Sequence, residues 1–172
     1  MVDSIIDEFY KRHLELLYYL EKNNELSLRS EADNNFKKVL VIAIASYFEQ
    51  QILDTLNQFV ETKIEDKRLA FFSKFKGIRR QYYTYFDFDT DTNVNRFFKI
   101  FGDEFKKQAE NDVKSKPELE QGIKAFLEIG LTRDRLIHQN FATLFLEKTS
   151  IEIYDLYKSA LFFVDYLKSK LC

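Results

Sequence analysis

The stretch Val39-Leu-Val-Ile-Ala-Ile-Ala-Ser-Tyr-Phe48 is the most apolar part of the chain. A surface helix carries its apolar residues on one face, whereas here they occupy nearly every direction around the helix axis. Such a segment has to be covered by protein on all sides. We therefore predict that residues 31–63, which contain this stretch and continue its apolar pattern, form the central helix of the core.

The segments on either side of this stretch carry apolar residues at the spacing of amphipathic helices. Pro117, followed by Glu118 and Glu120, marks the start of one of them, because proline and acidic side chains are favoured in a first helical turn. The predicted outer helices comprise residues 4–21, 65–76, 94–113 with an interruption at Gly102, 117–140 and 150–171. Residues 141–146 are predicted as a loop, and the basic and aromatic segment 78–88 gives no clear prediction.

Composition predicts an all-α protein, since 4 glycines and 1 proline are too few for the turns of an all-β protein. The length fits one domain over residues 1–172, and the helical segments above make about five to six helices. The formal net charge of -2 gives no global attraction to nucleic acid or to an anionic membrane, so any such binding would require a local patch. The single cysteine, Cys172, fits a reducing compartment. The longest apolar run, residues 39–45, is shorter than the roughly 20 residues that cross a membrane. We expect a soluble, cytoplasmic protein without a secretory signal or a membrane partner.

Residues 131–141, Leu-Thr-Arg-Asp-Arg-Leu-Ile-His-Gln-Asn-Phe, carry the strongest functional signal. His138 is one of 2 histidines in the chain, and histidine is the side chain best suited to proton transfer near neutral pH. On a straight helix Arg133 and His138 point about 140° apart. They would meet only if the helix ends or kinks before His138, or if a second copy of the chain completes the site. Asp134, four residues before His138, is predicted to accept a hydrogen bond from the imidazole.

These residue types suit the cleavage of RNA by its own 2′-hydroxyl, which needs a base, an acid and cations around the phosphorus. One chain offers a single suitable histidine, but a symmetric dimer with its axis beside this helix would supply two copies of His138 and of Arg133. Arginine suits the phosphate role because its fork of donors matches phosphate oxygens. The alternative is a structural role, because basic residues are also common at helix C-termini.

Further substrate-binding candidates lie beside the motif and on the central helix. Arg135 and Asn140 flank the catalytic candidates, and Glu49 is expected either to pair with an arginine of the motif or to face solvent. The histidine outside the motif, His13, has charged neighbours and is predicted to lie on the surface. No second histidine lies near His138, so we expect neither a metal site nor another cofactor.

A second basic segment combines charge for phosphates with aromatic rings on which bases can stack. It contains Lys74, Lys76, Arg79 and Arg80, interleaved with Tyr82, Tyr83 and Tyr85. Arg79 and Arg80 are its candidates for RNA binding. The alternative is that the tyrosines are packing residues.

The segment from Arg133 to Phe141 resembles the signature of the HEPN superfamily. In this signature an arginine is followed directly by a polar residue, and a histidine lies four to six residues after the arginine. The order of elements is similar as well: a long apolar helix with an Ala-Ser-Tyr-Phe-Glu segment at residues 45–49, then the motif, then a closing helix. The group called RiboL-PSP-HEPN, found in prokaryotic defence and toxin-antitoxin loci, is the part of the superfamily that the chain resembles most.

This resemblance implies an up-and-down helical bundle that dimerises next to the motif helix. It further implies a metal-independent endoribonuclease, a toxin or antiphage defence effector, with Arg133 and His138 as the catalytic pair and Asp134 beside them. Products would carry a 2′,3′-cyclic phosphate and a 5′-hydroxyl. A cognate antitoxin or a defence-complex protein is the implied partner, although Asn140 replaces the tyrosine that some antitoxins modify. Other HEPN domains are non-catalytic modules that bind nucleotide, RNA or protein, and this remains the alternative.

Overall fold

A computed structural model describes residues 3–78, 82–89 and 92–172 of the chain. These residues form eight α-helices without a β-strand, which confirms the predicted all-α class. The helices are α1 (Ile5–Lys22), α2 (Leu26–Lys63), α3 (Lys67–Phe72), α4 (Tyr82–Tyr85), α5 (Asn95–Lys99), α6 (Asp103–Ser115), α7 (Pro117–His138) and α8 (Ser150–Leu171), with one π-helical turn at Ser73–Ile78. The number exceeds five to six because α4, a single short turn, lies in the segment without a clear prediction, and because the interruption at Gly102 divides the predicted helix 94–113 into α5 and α6.

The four long helices form an up-and-down bundle. Contacts between α1 and α2 pair the end of one with the start of the other, as in the ion pair of Arg29 with Glu21 at 3.4 Å. In α7 and α8, Gly122 near the start of α7 approaches Ser159 of α8, whereas Glu128, further along α7, pairs with Lys148 just before the start of α8. Helix α1 is therefore antiparallel to α2, and α7 is antiparallel to α8. The shorter helices α3 to α6 lie between α2 and α7 in the chain.

The centre of the bundle is α2, as the apolar stretch at residues 39–48 predicts. Leu40, Ile44, Phe48 and Ile52 on this helix are at most 1% exposed. Burying a side chain of this size stabilises the fold by about 1.5–3 kcal/mol. By length and composition α2 could also cross a bilayer, a test that core helices of soluble proteins pass as well. Packing against α1, α7 and α8 accounts for its apolar character here.

Side-chain caps define the ends of the outer helices. Ser4 accepts a hydrogen bond from the Asp7 amide and Asp7 bonds back to Ser4, so α1 begins with a capping box. Thr149 and Glu152 make the same reciprocal bonds at the start of α8. Pro117 occupies the first turn of α7, as predicted. Caps of this kind contribute about 1 kcal/mol each.

The start of α2 differs from its prediction by five residues. The helix begins at Leu26 rather than at residue 31, directly after a tight turn in which Asn24 takes a left-handed conformation with φ of 59°. The Glu25 side chain at its N-cap position makes no capping hydrogen bond. Asp33 lies inside the helix and bonds to His13.

The predicted surface position of His13 is wrong. Its side chain is 4% exposed, its Nε2 atom lies 2.9 Å from Oδ1 of Asp33, and its ring stacks on Phe36 at 3.5 Å. Burial acts to raise the pKa of Asp33, but hydrogen bonds from His13 and Ser150 outweigh burial and hold that pKa below its usual value. The charged neighbours of His13 face solvent, whereas His13 itself falls on the face that α1 turns toward α2. His13 is therefore a structural residue of this interface.

Two glycines of α7 allow close approach of its neighbours. A Cβ atom at Gly122 would lie 2.7 Å from the carbonyl oxygen of Ser159, so glycine lets α7 and α8 pack closely. A Cβ atom at Gly130 would lie 2.1 Å from Cδ1 of Phe88. The missing side chain at Gly130 thus makes room for the Phe88 ring, which fixes residues 82–89 against the face of α7 that carries the motif.

Candidate functional site

The last two turns of α7 present the motif, and Arg133 is held there by two contacts. Its guanidinium lies 4.5 Å from the centre of the Tyr83 ring, and its Nη1 atom donates to Oδ1 of Asp134 at 2.8 Å. The side chains of Arg133 and Asp134 are 23% and 22% exposed. A stacked and ion-paired guanidinium loses little further entropy on binding an oxyanion, so Arg133 is oriented in advance for such a ligand.

Glu49 fixes the tyrosine under Arg133. The Tyr83 hydroxyl donates to Oε2 of Glu49 at 2.7 Å. Burial, with a further contribution from the Glu49 carboxylate, raises the pKa of Tyr83 to about 12, so the phenol stays protonated and keeps donating. The expected pairing of Glu49 with a motif arginine therefore takes an indirect form. Glu49 on α2, Tyr83 on α4 and Arg133 on α7 make a chain of contacts that joins three helices.

His138 is the last residue of α7 and is exposed. The helix continues to His138, and its end is capped by the Gln139 amide, which donates to the Arg135 carbonyl at 3.0 Å. Of the two ways to bring Arg133 and His138 together, the one that requires an earlier helix end is therefore excluded. Within one chain the two side chains leave the helix about 140° apart.

The predicted hydrogen bond between Asp134 and His138 is not formed. Asp134 instead accepts from Arg133, a charge-assisted bond that is shorter and stronger than a bond from a neutral imidazole. Helical spacing does not predict this contact, because neighbours on a helix do not normally face each other. The long Arg133 side chain nevertheless reaches the carboxylate.

Two lysines of α2 hold the segment that follows His138. Lys38 Nζ donates to the Phe141 carbonyl at 2.8 Å, and Lys37 Nζ donates to the Leu146 carbonyl at 3.0 Å. Both lysines are buried, with residual exposures of 8% and 7%. Sequence reasoning missed them, although a pair of lysines entering the most apolar helix was a signal, since a buried ammonium needs acceptors. They fix the position at which the chain leaves α7.

The two substrate-binding candidates beside His138 have different surroundings. Asn140 begins a turn: its Oδ1 accepts from the Ala142 amide at 3.0 Å, and its carbonyl accepts from Leu144 at 3.0 Å. Asn140 thus has a structural role that the sequence did not predict. Arg135 is exposed and borders a cavity between α7, α8 and residues 144–148. Arg133 and Arg135 therefore lie on different sides of α7.

The second basic segment is mainly a packing element where the structure describes it. Tyr82 is 5% exposed, the Tyr85 hydroxyl donates to the Gly77 carbonyl at 2.7 Å, and Lys74 pairs with Glu61. Tyr83 is the tyrosine of this segment that reaches the motif. The candidates Arg79 and Arg80 lie outside the described residues, as does the side chain of Lys76.

The site therefore offers an oriented guanidinium for a phosphate and an exposed imidazole for proton transfer. In the described ranges, no group of three His, Cys, Asp or Glu side chains is arranged to hold a metal ion. Comparison with protein families shows that the model of the family described as RiboL-PSP-HEPN matches residues 7–172. Comparisons with curated proteins and with solved structures gave no match.

Proposed function

The chain belongs to the RiboL-PSP-HEPN family, and from this premise we propose that it is a metal-independent endoribonuclease whose active site forms between two copies of the chain. The observation that carries the proposal is the prepared state of Arg133, stacked on Tyr83 and paired with Asp134, one and a half turns before an exposed histidine. The contacts hold a phosphate-binding group at the end of the helix whose last residue is His138.

Arg133 binds the scissile phosphate in this mechanism. A guanidinium carries five N–H donors, and the ion pair with Asp134 uses one of them. As charge builds up on the phosphoryl oxygens during attack, a fixed cation stabilises it without having to reorganise. Asp134 and Tyr83 act as positioning residues, and Glu49 positions Tyr83.

The two copies of His138 divide the proton transfers. One removes the proton of the 2′-hydroxyl, whose oxygen then attacks phosphorus, and the other gives a proton to the departing 5′-oxygen. The products are a 2′,3′-cyclic phosphate and a 5′-hydroxyl. Because α7 continues as a helix to His138, Arg133 and His138 of one copy diverge. A second chain supplies the second histidine and brings Arg133 of one copy toward His138 of the other.

One observation favours the competing function, a non-catalytic HEPN-like module that binds nucleotide, RNA or protein. Asp134 neutralises part of the charge of Arg133, and a guanidinium engaged in an ion pair attracts an anion less strongly. In a binding module the same contacts would serve stability alone. Cleavage assays separate the two functions.

We further propose the cytoplasm as the place of action and a toxin or antiphage defence effector as the biological role. A dimeric ribonuclease of this kind needs restraint in its host cell, so a cognate antitoxin or a defence-complex protein is the proposed partner. The family membership supports this role. Identification of the neighbouring open reading frame is the direct check.

The primary test is cleavage of labelled RNA by purified protein in EDTA. Wild-type protein is expected to cut and to leave 2′,3′-cyclic phosphate ends. His138→Ala is expected to lose about 10²–10⁴-fold in activity, the usual contribution of acid-base catalysis, and Arg133→Ala about 10²–10³-fold, the usual loss of one oxyanion-stabilising group. Arg12→Ala, an equal loss of charge on the exposed face of α1, is the matched control. No cleavage by wild type, or equal cleavage by the variants, rejects the enzyme.

The composite site has its own test in hybrid dimers that carry two different tags. A hybrid of one wild-type and one His138→Ala chain keeps a single histidine. If two histidines act in one cleft, its activity falls far below half of the wild-type value. If each chain has a complete site, the hybrid keeps about half, and a monomer in light scattering would exclude the shared site altogether.

A further inference from the structure

A cavity of about 280 Å³ lies next to the end of α7, on the side away from Arg133. Its apolar floor is formed by Val41 of α2, Ile129 of α7, and Ile153 and Leu156 of α8. Its rim carries Glu128, Arg135, Glu147 and Lys148. Small-molecule sites combine an apolar floor with a few polar groups, and they usually begin at about 300 Å³. A cavity of this size suits one base with its ribose.

Arg135 connects this cavity with the proposed chemistry. It lies three residues before His138 and therefore points only about 60° away from it on the helix, less than half of the divergence of Arg133. Among the described residues Arg135 has no ion-pair partner, in contrast to Arg133 with its Asp134. A fork of donors at the mouth of the cavity, on the histidine side of α7, suits a phosphate group.

The wall opposite α7 offers an aromatic surface. Phe145 is 73% exposed, and Lys37 Nζ lies 5.1 Å from the centre of its ring. The ion pair of Lys148 with Glu128 at 3.0 Å ties this wall to α7 and keeps the cavity in shape. Base stacking on an exposed ring contributes about 1–3 kcal/mol in single-strand binding. The carboxylate of Glu147 at the rim can accept N–H donors of a base and repels a second phosphate.

We propose that this cavity is a nucleotide subsite, which takes the base and ribose of the RNA nucleotide next to the cleaved linkage while Arg135 binds that nucleotide's phosphate. The position of the nucleotide relative to the cut rests on the proposed ribonuclease function. The cavity then contributes to the choice of sequence, because its rim and floor contact one base directly.

Binding is tested by methyl NMR of full-length protein labelled at isoleucine, with AMP, GMP, CMP and UMP as probes. Ile129 and Ile153 line the cavity, and Ile52, buried on α2 away from it, is the internal reference. At least one mononucleotide is expected to shift the first two methyl signals saturably, whereas inorganic phosphate at the same concentration leaves them unchanged. No saturable shift with any of the four overturns the proposal.

Two variants with matched controls locate the bound nucleotide. Leu156→Phe fills the cavity and is expected to abolish the shifts, whereas Leu161→Phe, on the same helix and similarly half-buried, preserves them. Arg135→Ala is expected to weaken binding at least tenfold, and Arg12→Ala leaves it unchanged. Shifts that persist in Leu156→Phe, or equal affinity in Arg135→Ala, overturn the proposal.

Cleavage of short RNAs that differ in one flanking base separates this inference from the proposed function. Leu156→Phe is expected to raise KM and to flatten the base preference, with cleavage retained. Wild-type protein that cuts no RNA yet binds a mononucleotide would refute the ribonuclease and leave the nucleotide cavity established. Active protein whose base preference is the same in Leu156→Phe would refute the subsite alone.

Discussion

Gly130→Ala adds one methyl group at the point where α7, the Phe88 ring and the motif meet. The new Cβ would lie 2.1 and 2.2 Å from two carbons of that ring, whereas ordinary contacts between carbons begin near 3.4 Å. The ring therefore has to retreat by more than 1 Å. Phe88 is 7% exposed and packs on Phe126 at 5.7 Å, so this retreat disturbs the core.

This methyl group changes the free energy of unfolding through two opposed effects. Overpacking of a filled core costs about 1–3 kcal/mol, and alanine gains back up to about 1 kcal/mol in a helix interior relative to glycine. Because the Phe88 ring has to move by more than 1 Å, the upper half of the overpacking cost applies, and the expected net loss is about 1–2 kcal/mol, or roughly 2–8 °C in Tm for a domain of this size. Urea unfolding followed by circular dichroism measures the difference.

Gly77→Ala is the matched control, because a Cβ atom there meets nothing within 4 Å. It should be neutral or slightly stabilising. Gly130→Ala should also lose ribonuclease activity, since movement of Phe88 shifts Tyr83 away from Arg133. Equal stability of Gly130→Ala and wild type, with an unchanged rate of cleavage, would refute the role given to this close approach.

Four further perturbations test the site and its supports. Arg133→Lys should lose most of the cleavage activity because the bidentate fork is gone, and near-wild-type cutting would contradict the role of Arg133. Glu49→Gln should lower the pKa of Tyr83 from about 12 toward its usual value, since loss of the carboxylate makes the phenol easier to ionise although burial remains. Tyrosine ring-carbon NMR follows this titration. An unchanged pKa would exclude the Glu49 contact. Asp7→Asn should destabilise the fold by about 1.5–3 kcal/mol near pH 7 because the bonds from Lys158 and Tyr154 lose the negative charge of their acceptor. Burial opposes ionisation of Asp7, but these bonds hold its pKa well below the usual value of about 3.9. The difference in stability between Asp7→Asn and wild type should therefore persist above pH 4 and shrink below it. A stability difference independent of pH would contradict this linkage. Lys38→Met should speed amide exchange in residues 139–149 roughly tenfold, since an anchor worth about 1.5 kcal/mol is removed, while α1 keeps its protection as the internal control.

The sequence predicted well what depends on local pattern. Helix α8 has the predicted bounds, α7 begins at Pro117, and Gly102, with φ of 100°, separates α5 from α6 as expected. Family membership was also predictable, because the motif and the order of helices lie within the chain itself. The helix bounds depend only on neighbours a few residues apart, and the order of helices is the order of these local patterns along the chain.

The sequence could not predict contacts between residues that are far apart in the chain and meet only when the helices pack. The stacking of Arg133 on Tyr83, 50 positions earlier in the numbering, depends on how α4 packs against α7. Burial of His13 depends on which face of α1 packs against α2. The charged residues next to His13 in the sequence indicate an exposed position instead. Asp134 shows the limit of spacing rules, since a partner one residue away displaced the expected partner four residues away.

The adjacent lysines of α2 make the connection between α7 and α8 a segment of fixed length. Lys38 donates to the carbonyl of Phe141 and Lys37 donates to that of Leu146. These two anchoring hydrogen bonds tie both ends of residues 141–146 to the same turn of α2. Surface loops usually absorb insertions, but an extra residue between these anchors would detach one carbonyl and leave a buried ammonium without its acceptor. Tags and reporter peptides should therefore be inserted at the turn of Asn23 and Asn24, where the chain carries no such tether to a distant helix.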